Sequence, residues 1–162
     1  MMGKIAKSIV VYLLALLVLL AWLWTIEIRG LLPDWLAPYS LPFNCALVGC
    51  LGGITYCLRS VYLNRSVRGH WNNDWNIWYF VRPVVSAITG IAAYIFLKAG
   101  LLVLDASSET DIGSVPYGFL ALSYIAGLNV DRFIVRLEEI AKSTWNINPS
   151  RTSDSSKNRE EN

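Results

Sequence analysis

The stretch SIVVYLLALLVLLAWLWTI, from Ser8 to Ile26, decides the fold of this chain. It contains no charged residue, and at ~1.5 Å rise per residue a helix of this length nearly spans the ~30 Å hydrocarbon core of a bilayer. Lys4 and Lys7 precede it, as basic residues precede a secretory signal. The run is longer than a signal core, however, and it ends at Trp24 and Ile26 without the small residues of a cleavage site. We therefore expect a retained membrane anchor.

The composition extends this prediction to the whole chain. Of its 162 residues, 54% are hydrophobic and only 16% are charged, which is below the ~25% of a typical soluble domain. The net charge of +2 is too small for a strongly basic surface, so we expect no direct nucleic-acid partner. Membrane lipid is the expected surrounding.

Three further apolar stretches predict three further spans. The second runs without charge from Phe43 to Leu58 and is expected to continue to about Leu63, with Arg59 reaching the headgroups. The third is placed from Pro83 to Leu104, with Pro83 in its first turn, where a missing N–H costs nothing.

The fourth span begins near Pro116 and is uncharged from Tyr117 to Val130. Its helix is expected to continue to Trp145 as an amphipathic cytoplasmic extension, because apolar residues recur there at helical spacing. Residues 146–162 are too polar to bury and are predicted to be a disordered cytoplasmic tail. The predicted fold is therefore an all-α integral membrane protein with a four-span domain over residues 1–145.

The distribution of basic residues predicts the orientation. Lysines and arginines are concentrated before the first span, between the second and third, and after the fourth, whereas the opposite side has only Arg29 near the first span. The first group is Lys4 and Lys7, the second is Arg59, Arg65 and Arg68, and the third is Arg132, Arg136 and Lys142. By the positive-inside rule, both termini are expected in the cytoplasm of a bacterium, with the chain in its inner membrane.

Small residues spaced four apart occur in three of the four spans. The pairs are Gly49 with Gly53, Ser86 with Gly90, and Ser123 with Gly127. Such pairs flatten one helix face, so that a second backbone can approach closely. The contact is expected either inside one monomer or between the subunits of a homo-oligomer.

Four charged residues are predicted to lie at bilayer depth, where a charge is costly and suggests a function. Lys98 is expected ~9 Å from the end of the third span, either reaching Glu27 or Asp105 or lining a water-filled path. At the opposite side, Asp131 lies only ~21 Å along the helix from Tyr117 and needs a partner. Arg82 is the predicted partner.

The remaining polar residues do not indicate an enzyme. Cys45, Cys50 and Cys57 all fall in the second span without the spacing of a metal site, and His70 is the only histidine. The cysteines are interpreted as reduced packing residues. We expect no catalytic residue, no metal and no cofactor.

A resemblance suggests what such a protein does. Residues Pro116 to Gly127, followed by Asp131, Arg132, Phe133 and a charged amphipathic helix, resemble the last span of small four-helix bacterial membrane proteins found beside antiphage systems. The resemblance covers about a quarter of the chain and carries over no functional residue. It implies an oligomeric inner-membrane effector that conducts ions or disrupts the bilayer when a cytoplasmic partner triggers it. The alternative is a non-conducting anchor that recruits a cytoplasmic protein.

Overall fold

In the computed structural model of this chain, residues 2–31, 33–64, 76–100 and 117–146 are described, and every regular element in them is helical. The helices are α1 (Met2–Ile28), α2 (Ser40–Tyr62), α3 (Asn76–Lys98), α4 (Tyr117–Leu128) and α5 (Val130–Trp145), with a 3-10 turn at Ala37–Tyr39. Within these ranges the all-α prediction is confirmed.

Three of the helical segments are long and apolar enough to cross a membrane: Ala6–Ile28, Ala37–Tyr62 and Asn76–Lys98. The pair α4 and α5 meets the same criterion only when it is taken as one broken span. The described residues therefore supply three candidate spans, or four with the broken pair. This is the composition of a multi-pass membrane protein.

The predicted third span, from Pro83 to Leu104, is wrong at both ends. The helix α3 begins seven residues earlier, so Pro83 is buried inside the helix instead of occupying its first turn. It ends at Lys98, followed by Gly100 in the left-handed region with φ 72°. The Gly100 N–H donates to the carbonyl of Leu97 over 3.0 Å. This arrangement closes the helix end, and a glycine adopts it without steric cost.

The predicted continuous fourth helix is also wrong, because the chain breaks at Asn129. Asn129 has φ −122° and ψ 51°, outside the helical region, and α5 starts at the next residue. The chain divides into two compact units at this point, Met1–Leu128 and Asn129–Asn162. The predicted tail from residue 147 onward lies outside the described residues.

The helix α1 packs on α2 and α3, and its fully buried side chains all lie in its first half. Ile9 and Leu13 join Ile54, Cys57 and Tyr79 in one buried apolar cluster. From residue 14 to residue 28, no side chain of α1 is buried. In its second half, Leu16 and Leu20 still pack partly against this cluster, whereas Val18, Leu19 and Trp22 are exposed.

Candidate functional site: a helix junction and its charged neighbours

The glycines of α2 lie directly against α3. A Cβ atom built on Gly49 would stand 2.6 Å from the carbonyl oxygen of Ser86 and 2.9 Å from the Cα of Gly90. A Cβ atom built on Gly53 would overlap the side chain of Ser86. At Gly49 the close atoms belong to the backbone of α3, so the two backbones are in contact there, whereas Gly53 makes room for the side chain of Ser86.

The helix α4 completes this junction on a second face of α2. A Cβ atom on Gly127 would overlap the carbonyl oxygen of Gly49, and one on Gly52 would stand 2.5 Å from the carbonyl oxygen of Tyr124. Gly52 was not among the predicted pairs, although it neighbours Gly53 in the sequence. Adjacent glycines point ~100° apart around a helix, so Gly52 and Gly53 serve two different neighbours.

Two serines join α3 and α4 reciprocally. The hydroxyl of Ser86 donates to the carbonyl oxygen of Gly127 over 2.9 Å, and the hydroxyl of Ser123 donates to that of Gly90 over 3.1 Å. Both serines are fully buried. Each Ser-x-x-x-Gly pair therefore supplies one donor and one acceptor to the other helix.

All six predicted packing residues thus meet at one junction inside a single chain, which we call the α2–α3–α4 junction. The alternative between contact within a monomer and contact between subunits was open from the sequence. In the structure the small faces are occupied within the chain. Because backbone touches backbone there, the junction leaves no room for a water-filled path between these three helices.

Arg82 lies inside α3, and only 5% of its surface is exposed. The carbon of its guanidinium group is 4.9 Å from the ring centre of Tyr56 and 5.3 Å from that of Trp78. Such cation–π contacts are worth ~2 kcal/mol or more when desolvated. The predicted partner, Asp131, belongs to the second compact unit, and the ion pair stays a prediction.

Lys98 and Glu27 do not form the predicted contact. Lys98 is the last residue of α3, and its amine donates to the hydroxyl of Tyr94 over 3.1 Å. Glu27 instead accepts a hydrogen bond from the side-chain amide of Asn44. The other predicted partner, Asp105, lies outside the described residues. A lysine at a helix end beside a tyrosine suits the headgroup level, so its position does not require a functional role.

Sequence reasoning missed a cluster of polar side chains between α2 and α3. The hydroxyls of Ser60 and Tyr79 are 3.0 Å apart, and the amide of Asn64 donates to the hydroxyl of Ser60 over 3.3 Å. These groups satisfy one another beside the apolar cluster of α1, α2 and α3. The four-residue spacing of Ser60 and Asn64 could have predicted this contact, because residues four apart lie on the same side of a helix.

The cysteines show no metal-site arrangement. Cys45 and Cys57 are buried, Cys50 is half-buried, and all three are free thiols. Among the described residues, no group of three or more histidine, cysteine or acidic side chains is placed to hold a metal ion.

The polar face of α5 has a local ion pair. Arg136 and Glu139 are 2.8 Å apart. Both side chains are mostly exposed, so the pair contributes little to stability. The two charged side chains make that face of α5 polar.

No protein-family model, curated protein or solved structure matches this chain. Function is therefore inferred from its own residues and their packing.

Proposed function

We propose that this chain is an oligomeric effector of the bacterial inner membrane, which conducts ions or disrupts the bilayer when a cytoplasmic protein partner triggers it, in antiphage defence. The observation that supports this proposal most directly is the unpaired surface of α1. Val18 and Trp22 are 67% and 59% exposed on a helix that is buried only in its first half. This surface is available to a second copy of the chain, whereas the small faces of α2, α3 and α4 are already used.

The closed α2–α3–α4 junction limits where ions would pass. Backbones in contact exclude water, so a conducting path would run between copies and not through this junction. The proposed path does not include Lys98, which lies at the end of α3 and bonds to Tyr94. If copies of α1 surround the proposed path, their exposed apolar side chains would contact one another when the path is closed. They would separate and let water enter when it is open.

The second candidate is a non-conducting anchor that recruits a cytoplasmic protein. The helix α5 supports it, because its charged face suits a protein surface as well as the membrane surface. The effector is expected to change the membrane potential and to form contacts between copies, whereas the anchor needs neither. Measuring both properties therefore distinguishes the two candidates.

The test measures membrane potential and assembly together in bacteria that express the chain. Expression with its trigger is expected to depolarise the membrane, and Val18→Trp is expected to abolish depolarisation by wedging neighbouring copies apart. Ile88→Trp is the matched control, because Ile88 is a similarly exposed β-branched residue on α3, 62% exposed. A photo-crosslinker at residue 18 should yield oligomers. Unchanged potential with monomeric protein would overturn the effector proposal and favour the anchor.

The proposed orientation has both termini in the cytoplasm. A periplasmic reporter enzyme fused after Ser108 is then expected to be active, and the same enzyme fused after Asn162 to be inactive, because it folds only outside the cytoplasm. A reporter that is active only in the cytoplasm, fused at the same two sites, should give the opposite result. Activity of the periplasmic reporter at both sites would contradict the even number of membrane crossings.

A further inference from the structure

Two polar side chains join the end of α1 to the beginning of α2. Glu27 is the last residue but one of α1, and Asn44 is the fifth residue of α2. The side-chain amide of Asn44 donates a hydrogen bond to Oε1 of Glu27. This contact spans the connector that links the two helices, and it lies where the second half of α1 has no buried side chain.

The second carboxylate oxygen of Glu27 and the amide oxygen of Asn44 have no hydrogen-bond partner. Oε2 of Glu27 and Oδ1 of Asn44 are both buried from the surface of the chain. An amide oxygen and an ionised carboxylate are both acceptors, so ionised Glu27 cannot satisfy Asn44. Buried acceptors in native proteins are almost always paired, and two of them on side chains that touch each other need a shared partner.

The charge of Glu27 narrows the nature of this partner. Among the described residues, Glu27 contacts Asn44 but no basic side chain, and the nearest candidate by prediction, Lys98, bonds to Tyr94 instead. A water molecule would satisfy the hydrogen bonds but would leave the charge uncompensated, which is costly away from bulk water. A small cation satisfies both requirements.

We propose that Oε2 of Glu27 and Oδ1 of Asn44 bind a small monovalent cation, such as Na⁺ or K⁺, between the ends of α1 and α2. Carboxylate and amide oxygens are the ligands that hard cations prefer. One carboxylate balances one positive charge, so a monovalent ion leaves this pair neutral. The bound ion ties the otherwise loosely packed second half of α1 to α2. This inference does not depend on whether the chain conducts ions.

The test is a thermal unfolding titration of the purified protein in detergent micelles. NaCl or KCl is added while choline chloride keeps the ionic strength constant, so that general screening does not change. The melting temperature of the wild type is expected to rise with Na⁺ or K⁺ and then to saturate. In Glu27→Gln, which removes the charge but keeps the shape, the apparent affinity should fall by about tenfold or more, or the response should vanish.

Asp34→Asn is the matched control. It makes the same chemical change on the connector between α1 and α2, where Asp34 is exposed, and it should keep the wild-type response. An equal response in Glu27→Gln would overturn the proposal. The proposal would also be overturned if choline chloride raised the melting temperature as much as NaCl or KCl does. A melting temperature that changes with pH but not with Na⁺ or K⁺ would contradict it as well.

A second variant keeps the test valid if Glu27→Gln does not fold. Asn44→Asp retains an acceptor oxygen and adds a second negative charge, so the protein should need a cation more strongly. Without Na⁺ or K⁺ its melting temperature is expected below that of the wild type, and the rise on adding Ca²⁺ should exceed the rise with the monovalent ions. Wild-type behaviour of Asn44→Asp in all salts would contradict a cation at this position.

Discussion

Replacing Gly127 with alanine is expected to destabilise the protein by about 1–3 kcal/mol, the cost of overpacking a close contact. The added methyl group would overlap the carbonyl oxygen of Gly49, and its Cβ would stand 2.7 Å from the carbonyl carbon. These are backbone atoms of a helix, so they cannot rotate away as a flexible side chain would. The helices α2 and α4 must separate, which also lengthens the bond between Ser86 and Gly127. The measurement is reversible unfolding in mixed micelles with increasing SDS, followed by circular dichroism.

Gly118→Ala supplies the control on the same helix. A Cβ atom at Gly118 meets nothing within 4 Å. Its effect is expected within ~0.5 kcal/mol, with a tendency towards stabilisation because alanine favours helix more than glycine does. Equal destabilisation by Gly118→Ala and Gly127→Ala would show that glycine flexibility, and not close contact with Gly49, is what the junction requires.

The sequence predicts the position and composition of the first two apolar helices well, because a long run without charged residues is read directly from the residues. The first two helices extend from residue 2 to residue 28 and from residue 40 to residue 62, close to the predicted spans. The spacing of small residues also identified the surfaces that meet at the α2–α3–α4 junction. It did not identify Gly52, since a search for residues four apart passes over a glycine that faces another helix.

The third helix shows where local rules fail. Pro83 suits a first turn, and the aromatic residues before it suit an interface, so the start was placed too late. Within α3, Pro83 is buried, and packing around it compensates for the lost backbone donor. The end was available from the sequence, because Gly100 follows the last turn and is the usual residue for a left-handed helix end.

The partner of Glu27 was not predictable from depth and sign alone. Glu27 was expected to meet a lysine, but it bonds to Asn44, a neutral residue that a search for opposite charges ignores. Arg82 lies beside the rings of Tyr56 and Trp78. The position of a charged residue along an apolar span indicates that it needs a polar partner. The packing of the helices determines which side chain lies close enough to be that partner.

The break at Asn129 contains neither proline nor glycine in residues 128–130, and Asn129 itself occupies the N-cap position of α5. A residue of α3 stabilises the helix end that precedes it. The last carbonyls of a helix have no partner within that helix, and Gly127 is one residue from the end of α4. The hydroxyl of Ser86 donates to this carbonyl. By contrast, the carbonyl of Gly90, which Ser123 contacts, lies inside α3 and is in position to accept the N–H of Tyr94 as well.

The two serine bonds should therefore differ in strength although they look reciprocal. Ser86→Ala is expected to cost about 1–3 kcal/mol, because it leaves a buried carbonyl without its hydroxyl donor, whereas Ser123→Ala should cost only ~0.6 kcal/mol, the average for such bonds in a membrane. Both serines are fully buried and both changes delete one hydroxyl, so each variant is the control for the other. The SDS unfolding assay reports the two free energies, and amide hydrogen exchange at Val130 and Asp131 should rise in Ser86→Ala alone. Equal costs would mean that the Gly127 carbonyl has a second donor and that Ser86 does not stabilise the break between α4 and α5.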